Sequence, residues 1–329
     1  MTSVTVEDVQ AAAEVLRGRA DRTPLVPSLW QGAQLWLKLE ICQAIGAFKL
    51  RGALNAVAAV EGPGVVCCST GNHGRGVAWA ARAAGKRAVV CMSALVPEAK
   101  VAGIRALGAE VRITGRSQDD ALEEAQRLVA AEGLVEISPF DDPRVIAGQG
   151  TIGAEIMAQN PGIETILVPL SGGGLAAGVA LAAKAADPSV RVIGVSMARG
   201  AAMADSLRAG HPVAVEEVPS LADSLGGGIG MENRLSFPMC RDLLDEVVQV
   251  TEAEVYRAIQ VHYRVDRLVA EGAACVGLAA LMTGKVRAEG PVATILTGRN
   301  VDMDQFTQVV TGQDVVLGDV TVKGMAYDA

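Results

Sequence analysis

The chain has 329 residues, half of them apolar, which is enough for a sizeable core in one large domain or two unequal ones. A formal net charge of −8 argues against nucleic acid or an anionic membrane as partner, because both need clustered Lys and Arg. The longest apolar stretch, Gly172 to Ala183, is ended by Lys184 and falls short of the ~20 residues of a membrane span. In chain order, Thr5 and Asp8 are spaced as a capping box for a helix running to Arg19. No basic-then-apolar stretch marks a signal peptide ahead of it. Strand-type runs then alternate with Ala-rich segments of helical length. Leu35–Glu40 precedes the helical stretch Phe48–Val60, Val65–Ser69 precedes Asn72–Ala84, Arg87–Met92 precedes Pro97–Leu107, and Glu110–Thr114 precedes Ser117–Ala131. Thr165–Pro169 leads into Gly174–Ala186, Val190–Val195 follows, helices are expected at Glu252–Arg267 and Ala273–Lys285, and the last run is Val292–Thr297. Apolar runs too short for helices, separated by helices, predict parallel strands covered on both faces.

In such sheets ligands bind where loops leave the carboxyl ends of the strands. The loop Ser171-Gly172-Gly173-Gly174-Leu175 follows one buried run and opens a helix. Three glycines let backbone N–H groups close on an anion, and the helix N-terminus favours negative charge. The loop lacks the Lys-Ser/Thr of a P-loop and the spacing of a dinucleotide fingerprint. By itself it reads equally as a phosphate cradle or a close-packed turn. Lys49, in Gly46-Ala47-Phe48-Lys49-Leu50-Arg51-Gly52, reads alone as a solvated residue at a helix start, or as a Lys with lowered pKa able to form a Schiff base. Ser69-Thr70-Gly71-Asn72-His73-Gly74 offers hydroxyls and N–H groups suited to a carboxylate, or an ordinary capping turn. The six cysteines contain no Cys-x-x-Cys pair, which fits a thiol-reduced, cytoplasmic protein, and His73, His211 and His262 lie too far apart to suggest a metal site.

Taken together and in this order, Thr23-Pro24-Leu25, Leu37-Lys38-Leu39-Glu40, Phe48-Lys49, Ser69 to His73, Ser171 to Leu175 and Thr297-Gly298-Arg299-Asn300 resemble the fold-type II pyridoxal 5′-phosphate (PLP) enzymes, the threonine and serine dehydratases and serine racemase. The resemblance implies a tryptophan synthase β-like α/β fold with two open, mostly parallel α/β/α sheet domains. Residues 1–52 plus 146–329 would form the large PLP-binding domain and residues 53–145 a smaller one inserted in it. It implies PLP on Lys49 next to Phe48, with Asn72 at the ring hydroxyl. Gly172, Gly173, Gly174 and Leu175 would hold the phosphate, and Thr297 would meet the pyridine nitrogen. Ser69, Thr70, Gly71 and His73 would surround the substrate carboxylate. Lys49 would take the Cα proton, and Thr70 stands where serine racemase carries a Ser acting on the opposite face. A neutral hydroxyl at Thr297 cannot keep the ring protonated as an Asp would, which agrees with β-elimination to a 2-oxo acid and ammonia.

Some features depart from a generic threonine dehydratase. Many relatives place a Glu around a divalent cation where this chain reads Ser196-Met197-Ala198-Arg199-Gly200, so no metal is expected. Ser69 to Gly76 with Arg75, Val195 to Met203, Ser220 to Gly230 and Thr297 to Met303 with Arg299 resemble the hydroxyectoine utilization dehydratases, which implies a hydroxylated 2,4-diaminobutyrate or its acetyl derivative as substrate. Asp223 and Ser224 would then pair with the substrate's distal nitrogen. Glu271 corresponds to a Glu near the cofactor in relatives and equally fits a helix cap. The expected assembly is a homodimer acting on a small amino acid. Two other readings stay open: a threonine or serine ammonia-lyase (or 3-hydroxyaspartate dehydratase), and a non-catalytic α/β nucleotide-binding protein, which would leave Lys49 and Asn72 unexplained.

Overall fold

All five residues of Thr165–Pro169 and all four of Gly64–Cys67 are buried, as strands covered on both faces require. The computed structural model describes residues 4–69, 71–96 and 98–327. Its strands are β1 (Leu25–Pro27), β2 (Leu35–Lys38), β3 (Gly64–Cys67), β4 (Arg87–Met92), β5 (Glu110–Ile113), β6 (Val135–Glu136), β7 (Thr165–Pro169), β8 (Arg191–Met197), β9 (Glu246–Val250), β10 (Val292–Ile295), β11 (Val315–Leu317) and β12 (Val320–Val322). One sheet runs β1-β2-β10-β7-β8-β9 and is parallel except for β1; a second runs β5-β4-β3-β6 and is parallel throughout. β11 and β12 form a separate antiparallel pair. This is the α/β architecture expected from the alternation of runs. Among the described residues, no helix is long and apolar enough to cross a membrane.

Helix starts follow local chemistry. Thr5 with Asp8, Ser117 with Asp120 and Thr251 with Glu254 each form a capping box. The helix Pro143–Gln159, which lies outside the expected helical segments, is capped by Asp142 and opened by Pro143 at its first turn. Its glycines, which weaken a helix by propensity, are what let it pack. A Cβ on Gly148 would lie 2.7 Å from the Gly52 Cα, and one on Gly153 would lie 2.5 Å from the Val179 carbonyl oxygen. Close approach on two sides thus places this helix between Lys49–Ala58 and Gly174–Ala186, the two helices that begin at the candidate lysine and the glycine loop.

A buried ion network fixes the same region. Arg51 donates to Glu40 from Nε and Nη2 at 2.8 Å and to Glu155 from Nη1 at 2.7 Å, while Lys38 Nζ donates to Glu155 at 2.5 Å. Thr23 Oγ1 donates to Glu40. Two cations face two carboxylates, so the cluster is neutral and hydrogen-bonded, the condition under which buried charges are tolerated. Burial opposes ionisation at Glu40, but the adjacent Arg51 guanidinium prevails and holds its carboxyl below the usual range. Arg51 lies one residue past Leu50, so the network pins the first turn of the helix that carries Lys49.

Candidate active site

Three loops at the carboxyl ends of β3, β7 and β10 converge on a cavity of about 230 Å³. From the first loop and its helix come Ser69, Gly71, Asn72 and His73; from the second, Ser171 to Leu175; from the third, Thr297. Phe48 and Lys49 close one side, and Ser224 and Glu271 the other. Thr70 lies outside the described residues. Asp223 is exposed and does not line the cavity, although its charge acts on Glu271.

Lys49 and Thr297 are 248 positions apart, and backbone bonds join their loops: Phe48 N–H to the Thr297 carbonyl at 2.9 Å and Arg299 N–H to the Gly46 carbonyl at 3.0 Å, around an antiparallel bridge between Ala47 and Gly298. Lys49 Nζ donates to the Pro139 carbonyl oxygen at 2.7 Å and stands 5.2 Å from the Phe48 ring centroid. Removal from water pushes its ammonium down to about 8, and a carbonyl oxygen is a neutral partner that does little to hold the charge. A nucleophilic, neutral amine is therefore accessible near physiological pH.

At the glycine loop, Gly173 adopts φ +88°, a left-handed conformation suited to glycine. Ser236 Oγ donates to the Gly172 carbonyl at 2.6 Å, and Cys240 Sγ donates to the Gly173 carbonyl at 3.4 Å. In a trans peptide the next N–H points opposite to the carbonyl, so the Gly173 and Gly174 N–H groups point away from Ser236 and Cys240. No side chain caps the helix Gly174–Ala186, which leaves its first-turn donors open to a ligand. Side chains here would collide: a Cβ on Gly172 would meet the Phe140 ring, and one on Gly174 would lie 2.6 Å from the Phe140 carbonyl oxygen. A bare loop with inward amides fits a phosphate, and Lys49 fits the aldehyde of PLP.

The opposite wall is polar. Glu271 precedes the helix Gly272–Met282, but its side chain makes no capping bond. Its carboxylate instead accepts from Asn72 Nδ2 at 3.0 and 3.1 Å, Asn300 N–H at 2.8 Å and Ser224 Oγ at 3.1 Å. Burial, with the nearby Asp223 charge, raises its pKa above the ordinary carboxylate range against these hydrogen bonds. Ser224 is therefore engaged by Glu271. His73 lines the cavity, but its Nε2 is 2.8 Å from the Ile137 carbonyl oxygen. Burial, with the Lys49 charge nearby, pushes the imidazolium down to about 3. A neutral ring can offer a carboxylate no positive charge. Among the described residues, no group of three His, Cys, Asp or Glu is placed to hold a metal ion.

Sequence reasoning did not single out Pro139, Phe140 or Ser236. Pro139 acts through its carbonyl, and Phe140 and Ser236 shape the glycine loop from behind, contributions that no motif spells. Asp141, whose carboxylate accepts from the N–H groups of Arg234, Leu235 and Ser236, ties Phe140 to the helix Ser236–Leu243 through contacts that only the fold brings together.

Residues 16–298 match a family model described as pyridoxal-phosphate dependent enzyme. A putative threonine dehydratase of Sinorhizobium fredii is 52% identical over 321 residues, covering 95% of this chain and 97% of that protein. An L-threonine ammonia-lyase of Thermotoga maritima is 39% identical, covering 93% of this chain and 78% of that protein. The structure of maize serine racemase superposes with a TM-score of 0.87 at 32% identity, covering 93% of this chain and 97% of that one.

Proposed function

The chain belongs to the pyridoxal-phosphate-dependent enzymes, and on that premise we propose that it eliminates water from a β-hydroxy α-amino acid, releasing a 2-oxo acid and ammonia. The observation that carries this reading is one cavity lined by Lys49, the glycine loop and Thr297. Bound PLP supplies an electron-withdrawing ring conjugated to the substrate α-carbon. Lys49 would hold the cofactor, and its Nζ would take the Cα proton, a task suited to an amine whose pKa lies near 8. The N–H groups of Gly173, Gly174 and Leu175 would hold the phosphate, and Asn72 would meet the ring hydroxyl. Ser69, Gly71 and the N–H groups opening the helix Asn72–Ala83 would orient the substrate carboxylate, with His73 as a neutral neighbour.

Thr297 would face the ring nitrogen with a neutral hydroxyl. Thr297→Asp should retain PLP, because the phosphate cradle is untouched, yet favour a protonated ring. Elimination of the β-substituent should slow by about tenfold or more while transamination products appear, as followed by product analysis. Wild-type elimination with no new product would remove Thr297 from the ring.

For the substrate we favour a hydroxylated 2,4-diaminobutyrate, free or acetylated, as in hydroxyectoine degradation. The support is the polar end of the cavity, where Ser224 and Glu271 stand beside Asp223 and could receive a distal nitrogen. Threonine offers only a methyl there and adds no donor to the Glu271 carboxylate, whereas a distal nitrogen would. kcat/KM for the diaminobutyrate form should exceed that for threonine by about tenfold or more, one polar contact's worth. The similarity to threonine dehydratases favours a second reading, and a higher value for threonine, serine or 3-hydroxyaspartate would establish it. The two sheets support two domains, residues 1–52 plus 146–329 and residues 53–145. A homodimer is proposed from the family resemblance. A cytoplasmic site is supported by six cysteines with no disulfide.

A further inference from the structure

Asn72, Glu271 and Asn300 come from three distant parts of the chain and meet at the cavity edge. The polarity of their contacts can be followed from one end. Asn300 Nδ2 lies 2.9 Å from the Ile45 carbonyl oxygen, which can only accept. The same nitrogen lies 2.6 Å from Asn72, so the Asn72 atom facing it is the carboxamide oxygen. Asn72 Nδ2 then faces Glu271, whose carboxylate accepts. Glu271 is itself held by the Asn300 N–H and Ser224 Oγ. Turning over Asn72 would set donor against donor at Asn300 and acceptor against acceptor at Glu271, and turning over Asn300 would set its oxygen against two acceptors, the Ile45 carbonyl and the Asn72 oxygen. The Asn72 nitrogen carries two hydrogens and gives one to Glu271. The other is available to the cavity that Asn72 lines.

We infer that Asn300 and Glu271 are positioning residues that lock the Asn72 carboxamide with its nitrogen toward the cavity, so that Asn72 donates a hydrogen bond to the cofactor's ring oxygen. The inference rests on the proposed placement of Asn72 at the ring hydroxyl and adds to it the direction of the bond and the residues that enforce it. A donor there stabilises the more negative, deprotonated state of the attached cofactor. Losing the donor should therefore raise the pH midpoint at which the bound cofactor's visible band titrates.

The experiment titrates that band in purified wild-type holoenzyme and in Asn72→Ala, Asn300→Leu and the double variant. Leu matches the size of Asn without adding charge and leaves the Asn72 oxygen with no donor from residue 300. Asn72→Ala should raise the midpoint by about one pH unit, the worth of a hydrogen bond to a charged group. Asn300→Leu should raise it by about half a unit or more, and the double variant should go no further than Asn72→Ala alone. A residue that merely held its loop would not move the midpoint. A wild-type midpoint in Asn300→Leu beside a raised one in Asn72→Ala overturns the lock, as does an additive shift in the double variant. An unmoved midpoint in Asn72→Ala overturns instead the placement of Asn72 at the ring. Should Asn300→Leu fail to fold, Asn300→Ser, small enough to be accommodated and too short to reach both partners, is read against the same outcomes.

Discussion

Replacing Lys49 with alanine should abolish covalent attachment of PLP and slow elimination by about a thousandfold or more. Two losses combine, the anchor and the base for the Cα proton. The geometry excludes the obvious substitute. Lys38 is fully buried, but its ammonium is bound by the Thr23 carbonyl, Glu155 and Gln159, partners that require it charged and in place. Lys184, Lys285 and Lys323 pair with carboxylates away from the cavity. Borohydride reduction of the wild-type holoenzyme followed by peptide mass spectrometry should place the label on Lys49, and Lys49→Ala should carry none. A labelled lysine elsewhere in that variant would sink the assignment. A pH dependence follows with a definite sign. Only the neutral amine attacks an aldehyde, and burial pulls this ammonium down from 10.5 to about 8. PLP incorporation into cofactor-free protein should therefore accelerate as pH rises and level off above about 8, not above 10.

Much of this was visible in the chain because burial on both faces leaves a clear record. The apolar runs Arg87–Met92 and Thr165–Pro169 coincide with β4 and β7, and the loops after β3, β7 and β10 carry the polar residues expected at strand ends. Elements without that record were missed. β9 is a half-buried edge strand, β6 has two residues, and the helix Pro143–Gln159 carries three glycines that tertiary packing demands and propensity disfavours. Side chains with chemistry of their own, such as Lys49, Asn72 and Thr297, stand out in the sequence, and the structure gathers them at one cavity. Asn300 was seen only as part of a motif, and its role depends on Ile45 and Glu271, which lie 255 and 29 residues away. Ser224, expected at the substrate, lines the cavity and donates its hydroxyl to Glu271, a pairing between distant residues that the sequence does not display.

Gly174→Ala should weaken PLP binding by about a hundredfold, although alanine is the better helix former at this position. The new methyl would sit 2.6 Å from the Phe140 carbonyl oxygen and 2.8 Å from its Cα. Both are backbone atoms, so no rotamer change relieves the overlap and the segment itself must shift. That segment is fastened on both sides. Asp141 holds the N–H groups of residues 234–236, and Asp142 caps the helix Pro143–Gln159. Overpacking against such a support costs about 1–3 kcal/mol, which reaches a hundredfold in affinity at its upper end. The displacement also carries Pro139, whose carbonyl receives Lys49, so the phosphate cradle and the anchor should be disturbed together. Gly228→Ala is the control, because a methyl there meets nothing within 4 Å. Equilibrium dialysis against PLP, with thermal melts in the presence and absence of cofactor, reads the outcome. Gly174→Ala should lose most of the stabilisation that PLP gives the wild type while keeping a cooperative melt. An affinity within about threefold of wild type, a difference of under 1 kcal/mol, would mean that the phosphate does not rest on this loop.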